Sequence, residues 1–186
     1  MKTQQNMKKT ILSFSLFFIA GGLFAQNMTT TSATVSFDAT TPIDALPIAT
    51  NKTVIASLNK TTGAILFEAA VNNFAFTNPK IQEHFNGDKW MNSSAFPKFT
   101  FSGKIDKLNK IKFNKNGVYK VTVTGNLTVK GISKQVKAPG TVTVAGGKVS
   151  AATAFSLKLS DYGISGAPID AGKVAKEPKI VVAAGF

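Results

Sequence analysis

Residues 118–131 read VYKVTVTGNLTVKG, and their alternation decides the fold. Tyr119, Val121, Val123, Leu127 and Val129 alternate with Lys120, Thr122, Thr124, Asn126, Thr128 and Lys130. Successive side chains of a strand point to opposite faces, so this segment has one oily face and one wet face, as a half-buried antiparallel strand requires. Gly125 interrupts the oily row, and a residue without Cβ there permits the strong bending or bulge that curls long strands into a barrel.

The same period runs through most of the chain downstream of residue 30. KVSAATAFSLKL (148–159) puts Val149, Ala151, Phe155, Leu157 and Leu159 on one face, and GTVTVAGG (140–147) ends in Gly146-Gly147, a hairpin turn of little steric cost. ATVSF (33–37), TVIASL (53–58), GAILFEAAV (63–71), KFTFSGKI (98–105) and the terminal KIVVAAGF are further strands. Asn59-Lys60, Asn114-Lys115-Asn116-Gly117 and Pro139-Gly140 read as the turns between them. About eight regularly spaced strands predict an all-β antiparallel barrel or sandwich over any α/β fold. One segment departs from the period: Asn78-Pro79 reads as a helix cap with proline at the first position, and Ile81, His84 and Phe85 share one side of a short helix near 79–86 that Gly87 ends.

The N-terminus follows other rules. Lys2, Lys8 and Lys9 precede the apolar run ILSFSLFFIAGGLFA, the pattern of a secretory signal peptide over residues 1–25, too short for the roughly 20 apolar residues of a spanning helix. The expected mature chain, 26–186, forms one domain and is periplasmic or secreted. It has no cysteine, so it relies on burial rather than disulfides and cannot hold zinc through sulfur.

Removing the three leader lysines from the net charge of +13 leaves +10. Every positive charge is lysine; the chain lacks the arginine fork that reads phosphates and bases. Nucleic acid is therefore not an expected partner, and membrane contact is at most peripheral. A homodimer stays open.

Catalysis finds few means. His84 is the single histidine, without a second imidazole or a thiol to complete a metal site and without a nucleophile elbow to complete a triad. Asp161 and Tyr162 sit in a turn, where an aspartate ordinarily serves backbone amides. No enzyme and no cofactor are expected.

Three motifs in order carry a family resemblance. EHFNGDKWMNSSAFPKFTFSGKI (83–105) resembles the short helix and strand opening of the YceI family, through Phe96-Pro97 and Phe101. TGNLTVKGISKQVKAPGTV resembles its strand and turn, through Gly125, Leu127, Thr128, Gly131, Ile132, Lys134 and Val136; FSLKLSDYGI resembles a further element, through Phe155, Ser160, Asp161, Tyr162, Gly163 and Ile164. The N-terminal SATVSFDA keeps Val35 and Phe37 but has no histidine where many members carry one. The resemblance implies an exported all-β antiparallel β-barrel of about eight strands, lipocalin-like in shape, whose interior holds a long apolar ligand, a polyisoprenoid, an isoprenoid quinone or another lipid.

The residues alone leave two interiors open, one filled by side chains and one with room for a slender ligand. For a ligand, the expected lining is Phe67, Phe99, Phe101, Tyr119, Val121, Val123, Leu127, Phe155 and Leu157, with gaps at Ala69, Gly103, Gly125, Ala151 and Thr153. Phe74, Phe76, Phe85 and Trp90 are expected at the mouth. A packed interior would instead be closed by Phe67, Phe101 and Phe155, leaving the basic exterior as the working surface.

Overall fold

The structure, a computed structural model, describes residues 27–186; the expected leader and its cleavage point lie outside them. Nine strands follow in order: β1 (Asn27–Asp38), β2 (Ile48–Asn59), β3 (Ala64–Ala70), β4 (Ala75–Phe76), β5 (Lys98–Asp106), β6 (Gly117–Val129), β7 (Ile132–Ala145), β8 (Lys148–Ser156) and β9 (Lys179–Gly185). Eight close into an antiparallel barrel, because β1 pairs with both β9 and β2; the two-residue β4 only extends the start of β2. Helix α1 (Pro79–Asn86) and the single turn α2 (Ala167–Asp170) stand beside the strands. Closure leaves no free edge to aggregate, which is how an all-β chain without disulfides stays discrete.

Of the bending or bulge that Gly125 permits, no bulge forms. Gly125 faces Gly103 in unbroken β5–β6 register, and the irregular pairing lies in β1, between Thr30 and Ala33 and between Ala33 and Val35. Ala33 is wholly buried there, small enough to sit where the strand bends inward. Pro139-Gly140 is not a turn either: both lie within β7, opposite Thr122 and Val121. The reason is local. β8 pairs with β7 only over Gly140–Ala145, so Pro139 stands where that flank of β7 becomes free and a missing N–H costs no ladder bond. The Thr153 hydroxyl then donates to the Pro139 carbonyl at 2.6 Å.

All connections fall at two ends. Segments 60–63, 107–116 and 146–147 lie at one, and segments 39–47, 71–97, 130–131 and 157–178 at the other. Two buried clusters correspond to them. The first end holds Leu58, Ile65, Ile105, Ile111, Val142, Val144 and Val149. The second holds most of the aromatic rings together with the buried alanines Ala33, Ala49, Ala56, Ala69 and Ala184. Phe67 packs against both.

The second end is held open by polar work at its rim. Asn51 is fully buried yet satisfied: its Nδ2 donates to the Ala70 carbonyl at 2.9 Å and its Oδ1 accepts from the Thr53 amide and hydroxyl at 2.8 and 2.9 Å. Unpaired, such an amide would cost about 1–3 kcal/mol, so this bonding fixes the β3 exit against β2. The segment then runs into α1, whose first free amide, on Lys80, is capped by Asn78 Oδ1 at 2.9 Å. The sequence placed this helix to the residue.

Candidate functional site

Alternation delivers the inner face of β6 as expected: Val121, Val123, Leu127 and Val129 face a cavity of about 160 Å³. Its wall reaches from Ile65, Ile105 and Val142 at the first end to Phe85, Leu159 and Ile164 at the second. Thr100, Thr141 and Thr153 are its polar side chains, and among the described residues no charged one lines it. A cavity so lined excludes ions and hydrated groups and accepts hydrocarbon.

Phe67, Phe99, Phe101, Phe155 and Leu157 line it as well, and Phe74 joins them. Phe74 is therefore an inner-wall residue rather than a mouth residue; it is 2% exposed and its ring lies 5.7 Å from Phe99 and 6.0 Å from Phe85. Tyr119 is the residue that leaves the expected lining. Its hydroxyl donates to the carbonyls of Lys112 and Lys115, at 3.1 and 3.0 Å, which draws the ring to the first end and latches the 107–116 segment across it. Beyond Ile65, Ile105 and Val142, the buried Leu58, Ile111, Val144 and Val149 fill that end with packed side chains.

The gaps expected at Gly103 and Gly125 are occupied. A Cβ on either glycine would come within 2.6 Å of Phe101 Cζ, so the Phe101 ring lies in the seat that the two facing glycines vacate. An aromatic ring seated over strand glycines is a known way to pin a bent sheet. Here it also lays the ring along the wall instead of across the lumen. Residues on both sides of Phe67, Phe101 and Phe155 line one continuous cavity, so these rings flank it and do not close it. Ala69, Ala151 and Thr153 supply the real gaps.

The second end carries a separate recess of about 200 Å³, lined by Phe76, His84, Trp90, Asp44, Pro168 and Lys173 among others. It shares Phe37 and Phe85 with the cavity. The Phe85 ring is thus the partition, with centroids 4.9 Å from Phe76 and 6.3 Å from Phe37. Phe76, Phe85 and Trp90, the residues expected at a mouth, line this recess, and His84, which also borders it, is exposed on α1. Among the described residues no group of three His, Cys, Asp or Glu side chains is placed to hold a metal ion.

Several wall residues escaped the sequence reading. Val35, Phe37, Ile180 and Val182 alternate in β1 and β9 and were open to the same period-two argument. Met91 and Ile164 come from irregular segments whose path no periodicity reveals.

The comparisons with known proteins agree with this architecture. A model of the YceI-like domain matches residues 24–186. The fold is similar to a polyisoprenoid binding domain from Saccharophagus degradans implicated in plant cell wall breakdown: TM-score 0.72, 11% identity, over 86% of this chain and 97% of that one. It is also similar to BcnA of Burkholderia cenocepacia, with TM-score 0.64 and 22% identity over 82% of this chain and 96% of that one. The YceI protein of Campylobacter jejuni gives TM-score 0.54 and 15% identity over 100% of this chain and 99% of that one. No functionally curated protein matches the chain.

Proposed function

The chain belongs to the YceI-like family, and from that premise we propose that it is an exported, non-catalytic binding protein that holds a long apolar molecule, an isoprenoid or other lipid, inside the barrel. The observation that carries the reading is the cavity wall, apolar but for Thr100, Thr141 and Thr153 and, among the described residues, free of charge. The similar domain from Saccharophagus degradans is described as polyisoprenoid-binding, which points to the same ligand class. At about 0.8 kcal/mol for each CH2 removed from water, a prenyl or acyl chain needs no ionic anchor to bind firmly. Specificity then rests on length and girth.

The recess at the mouth supports the division of such a ligand into a tail and a more polar end. Phe85, on a short helix, stands between recess and cavity and lines both. Export follows from the leader pattern of residues 1–25 and places the protein in the periplasm or outside the cell.

Native mass spectrometry of the protein purified from its own host, followed by organic extraction, tests the reading. A stoichiometric long-chain isoprenoid or lipid is expected. A clean apo mass that persists after incubation with quinones and polyprenols overturns it and transfers function to the outer surface. Val123→Trp, which places an indole in the cavity, is expected to abolish uptake while lowering stability by only about 1–2 kcal/mol, since the added bulk enters open space.

A further inference from the structure

The two ends of the barrel differ in charge as sharply as in packing. Segments 39–47, 71–97, 130–131 and 157–178, around the mouth, hold six lysines against six acids (Asp44, Glu83, Asp88, Asp161, Asp170 and Glu177) and sum to zero. Segments 60–63, 107–116 and 146–147, at the packed end, are far shorter and hold Lys60, Lys107, Lys110, Lys112 and Lys115 with no acid at all. Lys148, the first residue of β8, adds a sixth positive charge beside them. The nearest acid, Asp106, ends β5 and is engaged by the Thr124 hydroxyl at 2.9 Å.

This cap is built rather than frayed. Tyr119 ties down the carbonyls of Lys112 and Lys115, and Asn116 Oδ1 accepts from the Gly146 amide at 3.1 Å, joining two of the three segments. Lys107, Lys110, Lys112, Lys115 and Lys148 are exposed, while the apolar residues between them turn inward: Ile111 is buried, and Leu108 and Phe113 pack on the cluster beneath.

We propose that this basic end is a docking face for an anionic lipid surface, which the protein meets with its mouth pointing away. The chemistry favours lipid over other polyanions. Lysines on flexible stems are point charges that attract without stereospecific geometry, which suits a laterally mobile array of headgroup phosphates. The cap presents neither the arginine forks and stacking rings of a nucleic-acid reader nor the cluster of apolar anchors on which protein interfaces rest. The inference is independent of the cargo and goes beyond the binding reading, because it gives the barrel an orientation.

The chain's single tryptophan makes the test direct. Trp90 stands at the mouth, the end expected to face away. Protein purified from its host is mixed with phosphatidylcholine vesicles, with or without phosphatidylglycerol. Binding is expected only to the anionic vesicles and is lost at high salt. Lys110→Glu with Lys148→Glu is expected to weaken it by about a hundredfold or more, at roughly fivefold per unit of charge near a charged surface, each reversal changing two units. Lys89→Glu with Lys158→Glu, at the mouth end, leaves it unchanged. With a spin label on the headgroups Trp90 emission is retained, whereas a tryptophan introduced as Val118→Trp, at the basic end and 69% exposed in the native side chain, is quenched. Equal binding to neutral vesicles, quenching of Trp90, or competition by a soluble anionic polysaccharide at equal charge overturns the proposal. Val123→Trp docks like the native protein, which separates this outcome from failure of the cavity reading.

Discussion

One barrel, one strand code, yet its two ends are finished differently. At the basic end the buried residues are leucine, isoleucine and valine of similar girth: Leu58, Ile111, Val144 and Val149 lie behind the cavity, and Ile65, Ile105 and Val142 form its floor. Branched aliphatic chains of this kind interdigitate to crystal-like density. Toward the mouth, large rings (Phe37, Phe74, Phe85, Phe99 and Phe155) share the cavity wall with the small residues Ala69, Ala138, Ala151 and Ala152. Rigid rings meet at tilted angles near 50°, with centroids 4.9 to 6.3 Å apart, and cannot deform to fill what alanine leaves empty. Residue shape, rather than hydrophobicity, thus decides which part of the interior is core and which is cavity.

The same substitution placed at each end breaks or sharpens that contrast most strongly. Leu58→Ala opens a void inside close packing and is expected to cost about 4 kcal/mol, while Leu127→Ala enlarges a space that already exists and costs about 2 kcal/mol. Denaturant midpoints at constant m-value measure both. Equal losses would mean that the mouth-end interior is as tightly packed as the other.

Between the ends lies the Phe101 seat. Gly125→Ala brings a Cβ within 2.5 Å of the Ser102 carbonyl as well as onto the ring, a clash worth about 1–3 kcal/mol. The displaced ring has the lumen as its free volume, so shorter chains are expected to be retained and longer ones rejected. Extraction after loading with a series of prenyl lengths reads this out, and unchanged length preference would show that the ring is not what bounds the cavity.

These contrasts show what period-two reading can reach. It finds which face of a strand turns inward, because alternation is a local property: β6 and the neighbouring cavity wall were legible for that reason. It does not find where a side chain goes once inside. Phe101 lies back over glycines of two strands, a relation that exists only after Gly103 and Gly125 are paired. Tyr119 leaves the lining for carbonyls four and seven residues upstream. Proline at 139 read as a turn because the free flank of β7 depends on the length of β8. The charge asymmetry was invisible for the same reason, since the lysines are spread along the chain and gather only when the connections are sorted by end.

The chain's two tyrosines complete the comparison, one at each end. Tyr119 donates to two carbonyls, so Tyr119→Phe is expected to cost about 1 kcal/mol, the usual net worth of such bonding. Tyr162, 2% exposed in the segment beside the mouth, has a hydroxyl with no hydrogen-bond partner among the described residues. Burial, with the nearby Asp161 carboxylate, pushes its phenol above the ordinary value of 10.0. A raised value means that the folded state holds the proton more tightly than the unfolded one. Its contribution is therefore fully present below pH 10 and is lost as the pH rises through the folded-state value. Tyr162→Phe removes an unpaired buried hydroxyl and is expected to be neutral or to stabilise by up to about 1 kcal/mol at pH 7, and to lack this alkaline loss. Unfolding curves of the two proteins from pH 8 to 11.5 measure the difference directly, with the lysine titrations common to both. Parallel curves would mean that the phenol finds a partner, and that the mouth end satisfies its tyrosine as the basic end does.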